Sequence, residues 1–133
     1  MQKFSLLILR VGIGAVIIWF ALQQLSNPSF WTTYLPEFTK SLQISQTTFI
    51  YLNAWFELTF GTLMILGFYT RIVSFFLAIH MLGIVFSIGY DATGIRDFGL
   101  FIALVSIYSY GPSTWSLDEF FEKKKNSATT GTI

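Results

Sequence analysis

A chain of 133 residues that is 53% hydrophobic and 11% charged lacks the roughly 25% charged residues of a soluble domain, and its mean hydropathy of +0.62 points to a bilayer. A net charge of +1 with scattered Lys and Arg excludes a nucleic-acid footprint. The absence of cysteine excludes disulfide exchange, iron–sulfur ligation and thiolate metal sites within the chain, and no metal site is expected.

The length leaves room for about four spanning helices of ~20 residues each. The sequence therefore predicts an all-α fold: a four-transmembrane-helix bundle over residues 1–122 as one domain, with a basic, disordered tail over 123–133. The first helix is predicted from Phe4 to Leu25. Lys3 before an apolar run imitates a signal peptide. Arg10 interrupts that run, however, and no small-x-small cleavage site follows, so an uncleaved first span is expected. Gly12, Gly14, Ala15 and Ala21 allow close approach of another helix, and Pro28 disfavours helical geometry at Asn27.

Residues 26–48 mix Phe30, Trp31, Tyr34, Leu35 and Phe38 with Thr32, Thr33, Glu37 and Lys40. That composition suits the membrane interface, as short helical pieces. The second span is predicted from Phe49 to Tyr69 and the third from Ile72 to Tyr90, with Thr70-Arg71 as a turn and Arg71 as a helix-end anchor. The uncharged run 98–110 would reach only about 20 Å as a helix, short of a hydrocarbon core of about 30 Å. The fourth span must then begin near Thr93 and draw Arg96 and Asp97 into the membrane; a half-helix in a thinned bilayer is the alternative. Gly111-Pro112 stops it. Ser116 and Glu119 form a capping box for a short amphipathic helix with Phe120 and Phe121 on its apolar side, ending at Lys123-Lys124-Lys125.

Four spans place both termini on one side. Lys3, Arg71 and Lys123–Lys125 fall there, against Lys40 and Arg96 opposite, so a multi-pass protein of the cell membrane with cytoplasmic termini is expected.

Glu57 lies inside the second span, where a carboxylate costs on the order of a few kcal/mol and must face protein with a partner. Depths from the terminal side come to roughly 9 Å for Arg10, 12 Å for His80, 18 Å for Glu57 and 20 Å for Asp97 and Arg96. Glu57 and Arg96 are thus expected at one level as an ion pair. Glu57, Arg96 and Asp97 read equally as a charged pocket for a polar head group or proton, or as an ion-pair network that fixes helix register. Arg10 either snorkels to the interface or turns inward toward Glu57 or a ligand. His80 either makes one hydrogen bond inside the bundle or serves a ligand or proton; alone it cannot supply both axial ligands of a haem. Gly61, Gly67, Gly83 and Gly99 read as packing positions, and Trp55 as a ring close to Glu57. No catalytic residue is identified.

These residues together resemble the DoxX family of small membrane proteins. The likeness rests on Arg10-Val11-Gly12, on Glu57 followed by Gly61, Leu66-Gly67 and Thr70-Arg71, and on Arg96-Asp97. It is completed by Gly111-Pro112 leading to Trp115-Ser116-Leu117-Asp118, and covers roughly residues 4–121. The resemblance implies a four-helix membrane bundle and gives Arg10, Glu57, Arg71, Arg96 and Asp97 as the polar positions. The family takes its name from a protein associated with a terminal quinol oxidase. Its relatives include subunits of thiosulfate:quinone oxidoreductase and more distant assembly factors. Members with cysteines have no counterpart here for thiol chemistry.

Three functions follow as expectations. One is an accessory subunit of a membrane oxidoreductase, not an enzyme alone, with no intrinsic cofactor. It would bind quinone among Glu57, Arg96 and His80, with Phe56, Phe60 and Trp55 as walls, and take electrons from a membrane or peripheral redox partner. The second is a membrane scaffold or assembly factor without a ligand site. The third is a small proton-coupled transporter, which would need a homo-oligomer, packed through Gly99, Ala103 and Ser106. Lipid is the expected partner in every case.

Overall fold

A computed structural model describes residues 2–130, and the side chains of residues 4–129. The described residues form α1 (Gln2–Ser26), α2 (Pro28–Trp31), two 3-10 turns (Thr32–Tyr34 and Glu37–Ser41), α3 (Gln46–Leu66), α4 (Thr70–Ile88), α5 (Ala92–Tyr110) and α6 (Leu117–Thr130), with no strand among them. Four helices are long and apolar enough to cross a membrane: Phe4–Ser26 within α1, then α3, α4 and α5. The four-span bundle, the helical pieces between the first two spans and the C-terminal helix all match expectation. Because α5 starts at Ala92, Arg96 and Asp97 lie on a full-length span and not on a half-helix.

Helix ends depart from the sequence reading by two or three residues, each for a chemical reason. α3 starts early because Ser45 caps it, its Oγ accepting from Thr48 N at 3.1 Å. It ends at Leu66 because Gly67 takes φ +66°. There Gly67 N and Phe68 N donate to Met64 O and Leu63 O in a Schellman pattern. α4 starts at Thr70 because Asp118, remote in sequence, caps it. The expected capping box opens α6, with Glu119 N donating to Ser116 Oγ and Trp115 N to Glu119 Oε2. That helix does not stop at the lysines. It continues over 126–130, where the hydroxyls of Ser127 and Thr129 donate back to Lys123 O and Lys125 O, so the expected disorder of Asn126 to Thr130 is corrected. Residues 131–133 lie outside the described residues.

α1 packs along α3 and α4 along α5, and the two pairs close on a core of Ile13, Ile17, Met64, Val73, Leu77, Met81, Leu104 and Ile107. The α1–α3 crossing is a backbone contact. A Cβ on Gly14 would lie 2.6 Å from Ile65 Cγ1 and 3.0 Å from Gly61 O, and one on Gly61 would lie 2.9 Å from Ile18 Cγ1. Gly12, Gly83 and Gly99 are different: nothing lies within 4 Å of a Cβ there, so they face outward and do not pack within the bundle as expected.

Candidate functional site

Two polar clusters sit at opposite ends of the bundle. The first lies at the end that carries both termini. Arg10 is 1% exposed. It turns inward, as one of the two readings held, but not toward Glu57. Its Nη1 donates to Ser113 Oγ and its Nη2 to Trp115 O, both at 2.9 Å, which fixes the strand of chain between α5 and α6. Asp118 adds electrostatic attraction. The Asp118 carboxylate accepts from Tyr69 N, Thr70 N and Thr70 Oγ1 at 2.7–2.8 Å, an anion at a helix N-terminus. Asp118 N donates to Gly67 O at 3.1 Å. Tyr69 and Trp115 hold φ of 49° and 59°, a left-handed geometry that non-glycine residues adopt only when surroundings impose it. Arg71 is exposed, and its guanidinium lies against Gly111, where a Cβ would be 2.6 Å from Nε. This cluster is a clamp.

The second cluster lies toward the other end and surrounds Glu57, which is 2% exposed. Its partners are not the expected ones. Gln24 Nε2 donates to Glu57 Oε2 at 2.7 Å, and Asn53 Nδ2 donates to Glu57 Oε1 at 3.1 Å. Asn53 Nδ2 also donates to Gln24 Oε1 at 2.7 Å. His80 Nε2 lies 3.0 Å from Glu57 Oε1. Arg96 does not pair with Glu57; its Nε donates to Asp97 Oδ1 at 2.8 Å.

The shift in helix ends explains the exchange of partners. With α3 ending at Leu66 and α4 starting at Thr70, Glu57 and His80 come to depths of roughly 14 and 15 Å from the terminal side, while Arg96 stays near 21 Å. Glu57 therefore meets histidine, and Arg96 meets the carboxylate next to it. Asp97 is 4% exposed, whereas the Arg96 side chain is 43% exposed and lies 4.3 Å over the Phe20 ring, a cation–π contact.

Glu57, His80, Arg96 and Asp97 nevertheless share one cavity of about 370 Å³, with Gln24 and Asn53 on the same wall. Its apolar walls are not those expected. Trp31, Tyr34, Leu35 and Phe38 of the short helical segment roof it, and Phe20, Ile50 and Leu100 line its sides. Trp55 is 57% exposed and lies outside it, because two residues along a helix turn a side chain to the far face. Phe56 and Phe60 stack at 4.4 Å and lie outside the lining too; Phe56 packs 4.8 Å from the His80 ring instead. Ile79, Gly83 and Ser87 on the rim are exposed, so the cavity opens on the lateral surface of the bundle.

Sequence reasoning missed Gln24, Asn53, Ser113 and the capping role of Asp118. Asn53 had a signal, an amide one helical turn before the buried acid. Gln24 reads as a helix end until the partner helix is known. Among the described residues no three His, Asp or Glu side chains converge as a metal would require.

The sequence pattern of one family, DoxX, matches residues 5–89. The match takes in α1 to α4, with Arg10, Gln24, Glu57 and His80, and leaves Arg96, Asp97 and Asp118 beyond it. No curated protein and no solved structure matches the chain.

Proposed function

The chain belongs to the DoxX family of multi-pass membrane proteins, and from that premise we propose that it is an accessory subunit of a membrane oxidoreductase system that holds a quinone head group in the cavity beside Glu57, His80 and Arg96. One observation carries the proposal: a cavity of about 370 Å³ with aromatic walls and a floor of convergent polar groups, a size and lining that suit a small organic ligand. A quinone ring needs flat apolar walls, polar partners for its oxygens and a way for its tail to reach lipid. Trp31, Tyr34 and Phe38 supply the first, Arg96 the second, and the rim at Ile79, Gly83 and Ser87 the third. The quinone supplies the electron chemistry. The chain's residues bind and orient it, and a membrane or peripheral partner protein exchanges the electrons. The excess of Lys and Arg at the terminal end supports cytoplasmic termini, with the cavity in the outer half of the cell membrane.

Trp31 is the tryptophan that lines the cavity, which makes fluorescence the assay. Titrating detergent-purified protein with a short-chain quinone quenches the wild type, quenches Trp31→Phe much less, and binds more weakly in Arg96→Gln. An unchanged wild-type signal, or equal affinity in Arg96→Gln, overturns the proposal.

A scaffold without a ligand is the second reading, favoured by one fact: protein groups already satisfy both oxygens of Glu57. In that case Glu57→Gln lowers abundance in the membrane and leaves any partner activity per molecule intact.

A further inference from the structure

We propose that His80 and Arg96, and not Glu57, are the residues that touch the ring oxygens of the bound ligand, and that the site prefers a quinol to a quinone; this rests on the quinone reading above. Hydrogen-bond accounting leads there. Glu57 Oε1 accepts from Asn53 and faces His80 Nε2, and Oε2 accepts from Gln24. The two amides fix one another, since Gln24 must turn its oxygen to Asn53 when its nitrogen faces Glu57. Amide nitrogens can only donate, so both carboxylate oxygens are acceptors. Against an ionised carboxylate, His80 Nε2 can only be a further donor. A neutral imidazole that carries its proton on Nε2 has a bare lone pair on Nδ1.

That Nδ1 has no hydrogen-bond partner among the described residues, and the ring lines the cavity. Glu57 on one side and Phe56 at 4.8 Å hold the ring in place. Glu57 is thereby a positioning residue that sets the histidine tautomer. Arg96 supplies the opposite polarity. Its Nε is engaged by Asp97 and its plane rests on Phe20, while its two terminal nitrogens have no hydrogen-bond partner among the described residues. The cavity therefore offers fixed donors at Arg96 and one fixed acceptor at His80. A ring carbonyl can use only Arg96. A ring hydroxyl can also donate to His80 Nδ1, so the hydroxylated form makes one hydrogen bond more.

The test uses a decyl-chain benzoquinone and its quinol against the full chain in detergent. The wild type binds the quinol more tightly, by up to about tenfold for one added neutral hydrogen bond. His80→Phe removes that preference and leaves quinone affinity within about twofold, while Arg96→Gln weakens both forms by about tenfold or more. His80 is the chain's one histidine, so ¹⁵N-histidine labelling gives one pair of ring signals and reports on the unmutated protein. Nε2 is protonated and Nδ1 bare in the free protein, and saturating quinol shifts the Nδ1 resonance. A free protein with its proton on Nδ1, or an Nδ1 resonance unmoved at saturation, overturns this inference while leaving quinone binding standing. Failure of the wild type to bind either form overturns both.

Discussion

Replacing Arg10 with methionine is the sharpest test of how the bundle is held shut. The substitution keeps the length of the side chain and removes two directed bonds, to Ser113 Oγ and Trp115 O. Bonds from a charged donor contribute about 1.5–3 kcal/mol each. The Trp115 carbonyl left behind adds a desolvation cost of about 1–3 kcal/mol where it stays buried, and the methionine recovers part of the loss by filling the same space. Breaking a buried charged contact on one side costs about 3–5 kcal/mol in total, a large share of a stability of about 5–15 kcal/mol. Each kcal/mol is worth about 4 °C for a chain of this size, so the melting temperature in detergent falls by about 12–20 °C.

The clamp also predicts where the damage appears. α6 and the chain leading into it are held by Arg10, Ser116 and Asp118, so Arg10→Met frees them first, and trypsin cuts at Lys123–Lys125 sooner. Arg10→Lys retains the charge but not the fork that reaches both acceptors, and falls between. Arg10→Met and Ser113→Ala share one bond, so their losses do not add. Quinone affinity in folded Arg10→Met is unchanged, because the cavity lies at the other end. A methionine variant that melts with the wild type and resists trypsin equally would refute the clamp.

Two further predictions come from glycines. Gly67→Ala puts a methyl group on Arg10 Nη1 and 2.5 Å from Ser116 Cβ, at a φ of +66°. The left-handed geometry alone costs about 1–2 kcal/mol, and the same early tryptic cleavage accompanies it. Gly14→Leu drives into Ile65 and the Gly61 carbonyl and costs at least about 1–3 kcal/mol in melting experiments. Gly12→Leu, two residues away with open space around it, stays within about 0.5 kcal/mol of wild type.

The spans were legible because bilayer thickness and apolar run length decide them without tertiary knowledge. α5 is the clearest case: thirteen uncharged residues could not cross, so the helix had to begin before Arg96 and Asp97, and it does. The partners of Glu57 were not legible, because they depend on helix ends that distant residues set. Asp118 starts α4 at Thr70, and Gly67 stops α3 at Leu66. Together these slide His80 level with Glu57, through contacts that no local pattern encodes. The aromatic roof was legible as interfacial character at Trp31, Tyr34 and Phe38, but not as the wall of a cavity. Trp55 is near Glu57 in sequence but not in space, because two residues along a helix separate side chains by about half a turn.

The two polar clusters obey one rule with opposite outcomes, and the contrast locates function. At the terminal end both terminal nitrogens of Arg10 and both oxygens of Asp118 have protein partners; among the described residues, Arg10 Nε is the buried polar side-chain atom without one. Apart from that nitrogen the cluster is closed by protein groups. At the other end the amides satisfy the acid, yet the two terminal nitrogens of Arg96 and Nδ1 of His80 have no partner among the described residues, beside a 370 Å³ cavity. An unmatched polar group away from water costs on the order of 1–3 kcal/mol. At that depth of a membrane only water, a lipid head or a ligand drawn into the cavity can relieve it. The fold completes all but one nitrogen of its bonding at one end and leaves nitrogens of Arg96 and His80 open beside a cavity at the other, which is why occupancy of the cavity, and not integrity of the clamp, is where activity should respond to mutation.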